Sequence, residues 1–362
     1  MNLFARVLPF FLGAIVFNQQ LWAGSITPYS RRHNLETNNS SLATAWSKRN
    51  GLGAKYLVIS TSNKQDGSEV SQINESAMIP YLFANVDKFS IDASYHTGNR
   101  EYKNLDNPAI DYKVTETALY LGWRLSDSFA LGAEYESSSE KFEGMPDIEA
   151  IQNTMGLGGS FRSSVFYFGG RFLLDSNSSA TAGISEQKIS FSHFVASIGY
   201  SDFREGGRQG TSLDLSYLLR APVQDGEWAI GERSCVEAEL VWAQNDIELI
   251  AKLKQDSEKD YAEEVENKLT EYGFELSLFL MQNFFITPQI KIGTLAYTTD
   301  LDISAEDRDI SEYALRVGFL SDKLELSLIY QIASYKQKVL GMLYEEIEDN
   351  ITTVAAVGVV KF

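Results

Sequence analysis

The amino-acid sequence predicts an all-β protein: a transmembrane, antiparallel, up-and-down β-barrel of about 16 strands, with 14 as the alternative count. Three observations carry this. Apolar residues alternate with polar residues or glycine at period two along most of the chain. The connections between these segments alternate between very short and longer. Past residue 24, no apolar run approaches the ~18–20 residues that a membrane helix needs.

The alternation is clearest in four segments. Phe129, Leu131, Ala133 and Tyr135 share one face, against Ala130, Gly132 and Glu134. Leu324, Leu326, Leu328, Tyr330 and Ile332 alternate with Glu325, Ser327, Ile329 and Gln331. Val236, Ala238, Leu240 and Trp242 oppose Glu237, Glu239 and Val241. Tyr272, Phe274, Leu276, Leu278 and Leu280 oppose Gly273, Glu275, Ser277 and Phe279. Side chains on a strand point to opposite faces in turn, so each segment has one apolar and one polar side.

Short polar turns fall at 86–88, 126–128, 162–164, 244–246, 282–283 and 321–323. Longer polar segments lie near 63–76, 98–111, 138–149, 175–185, 221–232, 256–266, 298–310 and 336–348. Short turns on one side and longer loops on the other are the rhythm of an outer-membrane barrel. An even strand count places both termini on the side of the short turns, which is periplasmic. The strand at 77–86 alternates weakly, and its Pro80 favours an edge or a bulge. In residues 256–269, Tyr261, Val265 and Leu269 stand at helical spacing and also fit a short amphipathic helix on an outer loop.

Residues 1–23 read as a secretory signal: Arg6, an apolar run from Val7 to Phe17, then small Ala23 before Gly24. Residues 24–53 form an N-terminal periplasmic or lumen-plugging segment, and 54–362 form the barrel. Without the signal the chain carries 30 basic and 49 acidic residues, a formal charge of −19. That balance argues against nucleic acid or an anionic lipid surface as the main partner. The single cysteine, Cys235, excludes an intrachain disulfide and reads as a small packed residue. Mean hydropathy is −0.18, as expected when lipid-facing and lumen-facing residues cancel. Aromatics near strand ends suit interfacial girdles: Trp123, Phe129, Tyr135, Phe166, Phe168, Tyr200, Trp242, Phe284, Phe285, Phe319 and Tyr330.

The chain ends in a strand running to Phe362, with Val360, Gly358, Ala356 and Val354 on the same face. This resembles the terminal strand of Gram-negative outer-membrane β-barrel proteins, porin-like, which ends in Phe and is read by the barrel-assembly machinery. In this chain Val357 and Val359 make the opposite face apolar as well. A second, weaker resemblance rests on Asn38-Asn-Ser-Ser-Leu-Ala43 followed by Gly51-Leu-Gly-Ala-Lys55. These look like the start of the long-chain fatty-acid transporter family, where an Asn-Pro-Ala-type segment precedes the first strand and the N-terminus plugs the barrel. The family's proline is absent here, and its usual strand count is fourteen.

Strand parity puts a set of charges on the lumen face: Asp92, Glu116, Glu134, Glu136, Asp214, Glu237, Glu239, Glu248, Glu275 and Glu325, with Arg124, Arg162, Arg171, Lys252, Lys291 and Arg316. A basic side chain facing lipid at mid-membrane costs roughly 2–4 kcal/mol, so charges turn inward. They line a water-filled pore with an acidic excess, or they pair across strands and fill the wall. Catalysis is poorly supported. Only His33, His96 and His193 are present, and adjacent Ser192 and His193 point to opposite faces. No zinc spacing, phosphate loop or nucleotide fingerprint implies a cofactor or metal. The acidic runs Asp300 to Asp309 and Glu345 to Asp349 read as hydrated loops, or as ligands for cations that bridge lipopolysaccharide phosphates.

The expected function is therefore an outer-membrane channel for passive diffusion of small polar solutes, with mild cation preference. Its partners are outer-membrane lipid, lipopolysaccharide, the barrel-assembly machinery and a small solute. Two alternatives stay open: a plugged barrel carrying hydrophobic substrates, and a structural or adhesive surface protein.

Overall fold

The computed structural model describes residues 50–361, apart from 105–106, 144–147, 182–183, 204–208, 226–227, 260–264, 281–282, 300–304 and 340–344. The expected signal peptide, most of the N-terminal segment, His33, Phe362 and part of the acidic loops lie outside the described residues.

The first nine strands run β1 Gly51–Gln65, β2 Ser68–Val86, β3 Phe89–Asn104, β4 Asn107–Arg124, β5 Phe129–Glu143, β6 Ile148–Ser163, β7 Phe166–Thr181, β8 Ile184–Ser201 and β9 Gln209–Arg220. A small hairpin follows, β10 Val223–Asp225 and β11 Trp228–Ile230. Then come β12 Arg233–Gln244, β13 Ile247–Lys259, β14 Val265–Leu280, β15 Phe284–Thr299, β16 Ala305–Leu320, β17 Leu324–Val339 and β18 Glu345–Lys361. All except β10 and β11 pair with their chain neighbours, and β1 pairs with β18, so 16 antiparallel strands close a barrel. Closure satisfies every ladder and removes the free edge, which hydrocarbon does not tolerate.

The alternation predicted from sequence is the alternation seen. Leu157, Leu328 and Val360 are 71%, 58% and 57% exposed on the outside, while Ala130, Ile250 and Val359 between such residues are 0%, 2% and 4% exposed. The outside carries two aromatic bands. Near the short turns lie Phe89 stacked on Trp123, Phe166 against Tyr200, and Phe284 edge-on to Phe319. Further along the same outer faces stand Tyr56, Tyr95, Tyr135, Tyr272, Tyr313 and Tyr330, each about half exposed. Rings of this kind sit at headgroup depth on either side of an apolar belt. Phe285 departs from the girdle expectation: it is 7% exposed on the inner face. Its neighbour Phe284 takes the outward position, because adjacent strand residues must separate.

Four further expectations are corrected. The helix considered at 256–269 is absent from the described part: β13 continues to Lys259 and β14 begins at Val265, paired with each other. Cross-strand pairing supplies more hydrogen bonds than one isolated turn of helix. The segment at 63–76 is no loop. Asp66 and Gly67, at φ 49° and 77°, make a two-residue hairpin turn between β1 and β2; positive φ at both positions fits Asp-Gly. The strands also reach far into the other polar segments, giving lengths of up to 19 residues. A tilted strand needs only ~9–11 residues to cross a bilayer. β1 begins at Gly51, slightly before the expected barrel boundary.

Pro80 and Pro288 each interrupt a ladder without shifting its register. Pairing of β2 with β3 lapses between Met78↔Thr97 and Tyr81↔Ser94. Pairing of β14 with β15 lapses between Glu275↔Gln289 and Leu278↔Ile286. Proline has no N–H to donate, and one neighbouring strand goes without it. At the second break the hydroxyls of Ser277 and Thr287 bond to each other at 2.9 Å on the inner face.

Candidate functional site: the inner wall of the barrel

The sequence-derived lumen residues all occupy positions alternating with the exposed apolar ones, and so face the interior. Asp92 lies on β3, Glu116 and Arg124 on β4, Glu134 and Glu136 on β5, Arg162 on β6 and Arg171 on β7. Asp214 lies on β9, Glu237 and Glu239 on β12, and Glu248 and Lys252 on β13. Glu275, Lys291, Arg316 and Glu325 follow on β14 to β17.

Their charges are organised as ion pairs. Arg171 Nη1 donates to Glu134 at 2.7 Å. Lys252 lies 3.0 Å from Glu275 and 3.5 Å from Glu239. Arg316 Nη2 donates to Glu325 at 2.8 Å, its Nε to Ser327 at 3.0 Å, and its guanidinium lies over the Phe285 ring at 5.1 Å. Lys291 meets Glu312 at 2.8 Å. Tyr120 donates to Glu136 at 2.5 Å.

Several inner charges were missed because the strands carrying them extend into segments that read as loops. Arg100 is bonded to Glu75 at 2.8 Å and Glu140 at 2.6 Å. Beside it, His96 has Nδ1 3.1 Å from Glu116 and Nε2 3.4 Å from Glu75. Arg233 binds Asp256 at 2.6 Å and Arg220 binds Glu258 at 2.5 Å. Arg308 pairs with Asp349. Parity would have found Glu75 and Lys55, had β1 and β2 been read as one long hairpin. His193 faces inward, 2.7 Å from Asp175, and Ser192 takes the opposite face.

The second feature of the wall is apolar. Leu57, Ile59, Ala77, Ile79 and Ala355 form one buried cluster, and Tyr81, Phe83, Val357 and Val359 another. Leu269, Leu295, Ile310, Ala333 and Tyr335 form a third. Ile329 packs on the first two, and Ile351 on the first and third. A continuous apolar strip thus runs over the inner face of β14 to β18, β1 and β2, where the ends of the barrel meet. It accounts for Val357 and Val359, whose inward apolar face blurs the terminal-strand pattern. The Tyr81 ring lies against Gly53, where a Cβ has no room, and its hydroxyl donates to the Gly358 carbonyl at 3.3 Å.

Of the expected assembly residues, Gly358 and Val360 lie on the outer face of β18. Among the described residues no cluster of His, Cys, Asp and Glu is arranged to hold a metal ion. Cys235 is free and buried on the inner face.

An apolar exterior around a charged interior makes this a transmembrane β-barrel of the outer-membrane type. No family model matches the sequence, and no curated protein matches it. Solved structures resemble it in shape. The P. putida toluene transporter TodX shares 7% identity over 87% of this chain and 91% of its own, with a TM-score of 0.46. OpdQ of Pseudomonas aeruginosa shares 8% over 86% and 99%, at 0.45. The CymD monoaromatic hydrocarbon channel shares 10% over 88% and 90%, at 0.46. The chain is similar to these barrels at that level of shape.

Proposed function

We propose that the chain is an outer-membrane channel for passive diffusion of small polar solutes, with mild cation preference. Its short-turn end and both termini face the periplasm, and outer-membrane lipid and lipopolysaccharide surround it. The observation that carries the reading is the charge of the inner wall. Carboxylates outnumber basic groups there, and even basic residues with two acidic neighbours, such as Arg100, Lys252 and Lys291, leave an acidic surplus. Fixed negative charge in a low-dielectric passage favours cations. A 16-stranded barrel is wide enough for an aqueous passage.

Planar-bilayer recording under a salt gradient tests this. The expected result is discrete conductance steps with a reversal potential displaced toward the cation equilibrium. Silent bilayers from folded protein, or a displacement toward the anion, would sink it.

The apolar strip favours a second reading: a barrel that passes hydrophobic or amphipathic substrates along that wall, with residues 24–49 as its plug. Uptake of an apolar solute by vesicles holding the protein, abolished by Ile79→Asp, separates it from the first. The terminal residues Gly358, Val360 and Phe362 serve as the signal read by the barrel-assembly machinery.

A further inference from the structure

Asp214 stands apart from the other acids of the inner wall. It lies on β9 at the level of the apolar belt, between outward Leu213 and Leu215, and is 6% exposed. Among the described residues its Oδ1 has no hydrogen-bond partner, and no basic group forms an ion pair with it. The residue directly opposite on β12 is a second acid, the buried Glu239. Directly opposed residues hold their Cβ atoms ~4.5–5.5 Å apart, and like charges there repel. On the other side, the residue opposite Asp214 is Gly199 of β8. The Tyr167 ring of β7 fills the space that a Cβ on Gly199 would need, and its hydroxyl reaches that point. Tyr167 is 5% exposed, and its hydroxyl also has no hydrogen-bond partner among the described residues. The other inward neighbours on β8 and β9 are Ser197, Ser201, Ser212 and Ser216, none of them a counter-charge.

A buried carboxylate without a counter-charge is costly, and an ionisable group inside the membrane span is retained where it has a partner to bind. The unmet atoms here call for a donor of positive charge. Glu239 shares its cation: Lys252 lies 3.5 Å from Glu239 and 3.0 Å from Glu275. Lys252 can therefore release Glu239 and keep an ion pair. Its side chain is 31% exposed, which sets the three oxygen-bearing groups beside the open interior. Two carboxylates and a phenol fall short of the six to eight oxygens of a calcium site, and no third acid or histidine joins them as a metal ligand among the described residues. A primary ammonium carries one positive charge and three N–H donors, which matches three acceptors.

We propose that Asp214, Glu239 and Tyr167 form a binding site in the inner wall for a primary ammonium group, the charged end of a small amine solute. Its N–H groups bond Asp214 Oδ1, the Glu239 carboxylate and Tyr167 Oη, and its charge relieves the repulsion between the two acids. The site gives the cation-preferring channel a chemical class of solute, and it rests on that reading for the route by which the amine enters.

Isothermal titration of the folded barrel in detergent with ethylammonium tests it, against tetramethylammonium, which has the charge but no N–H, and against sodium. Saturable binding of ethylammonium alone is expected. Asp214→Asn weakens it on the order of tenfold, and Tyr167→Phe by a smaller, severalfold factor. Glu101→Gln, on the outer wall where Glu101 pairs with Lys103, leaves it unchanged. Heat-modifiable migration confirms that each variant is a folded barrel, and Glu239→Gln replaces Asp214→Asn if that variant does not fold. Absence of saturable binding overturns the site, as does equal binding of tetramethylammonium or sodium, or undiminished binding in the carboxylate variants. The titration needs no conduction, so the two readings fail separately. Silent bilayers from a barrel that binds ethylammonium sink the channel alone, whereas a conducting barrel that does not bind it sinks the site alone.

Discussion

Arg316 and Glu325 are 1% and 2% exposed, the most deeply buried charges on the inner wall. A buried pair is close to neutral for stability while both partners stand, and costly once one is left alone. Glu325→Gln is therefore expected to destabilise the barrel by about 3–5 kcal/mol, while Arg316→Met/Glu325→Leu stays near the parent. Urea unfolding from lipid vesicles, followed by tryptophan fluorescence, gives both values. Equal losses in the single and double variants would show that the charge itself is not what matters. Parity alone placed both residues inside. Their mutual contact needed the register Leu320↔Glu325 and Arg316↔Ile329, which no single strand contains.

At the scale of elements, strand starts on the short-turn side were legible almost to the residue. Turn chemistry is local: Asp87, Ser164 and Asn245 adopt positive φ in tight turns that the polar triplets announced. The opposite ends were less legible, because polar residues occur both in loops and on strands standing above the membrane. Asp66-Gly67 was the readable hairpin signal there, and it was hidden in a polar run. β18 shows the two demands on one strand. Its outer face carries Gly358 and Val360, and its inner face belongs to the apolar strip. Phe362→Ala is expected to lower the amount of folded barrel in the outer membrane severalfold without changing the conductance of what does insert. Quantitative blotting of membrane fractions checks this, and normal levels would remove Phe362 from the assembly role.

The whole molecule is a wall with two chemistries: ion pairs around the whole arc, Arg316–Glu325 and Lys291–Glu312 among them, and apolar clusters interleaved with those pairs across the closure. If residues 24–49 occupy the lumen against that strip, their removal raises single-channel conductance while the barrel still folds. An unchanged conductance in the truncated protein assigns them to the periplasm. By itself the sequence determined the fold class, a count of about sixteen strands and the face that most residues take, because period two and turn chemistry are properties of neighbouring residues. Only the tertiary structure decided which charges pair and that the lumen is partly apolar. Both depend on register between strands and on closure of β1 against β18, and contacts between residues hundreds apart leave no mark on the local pattern.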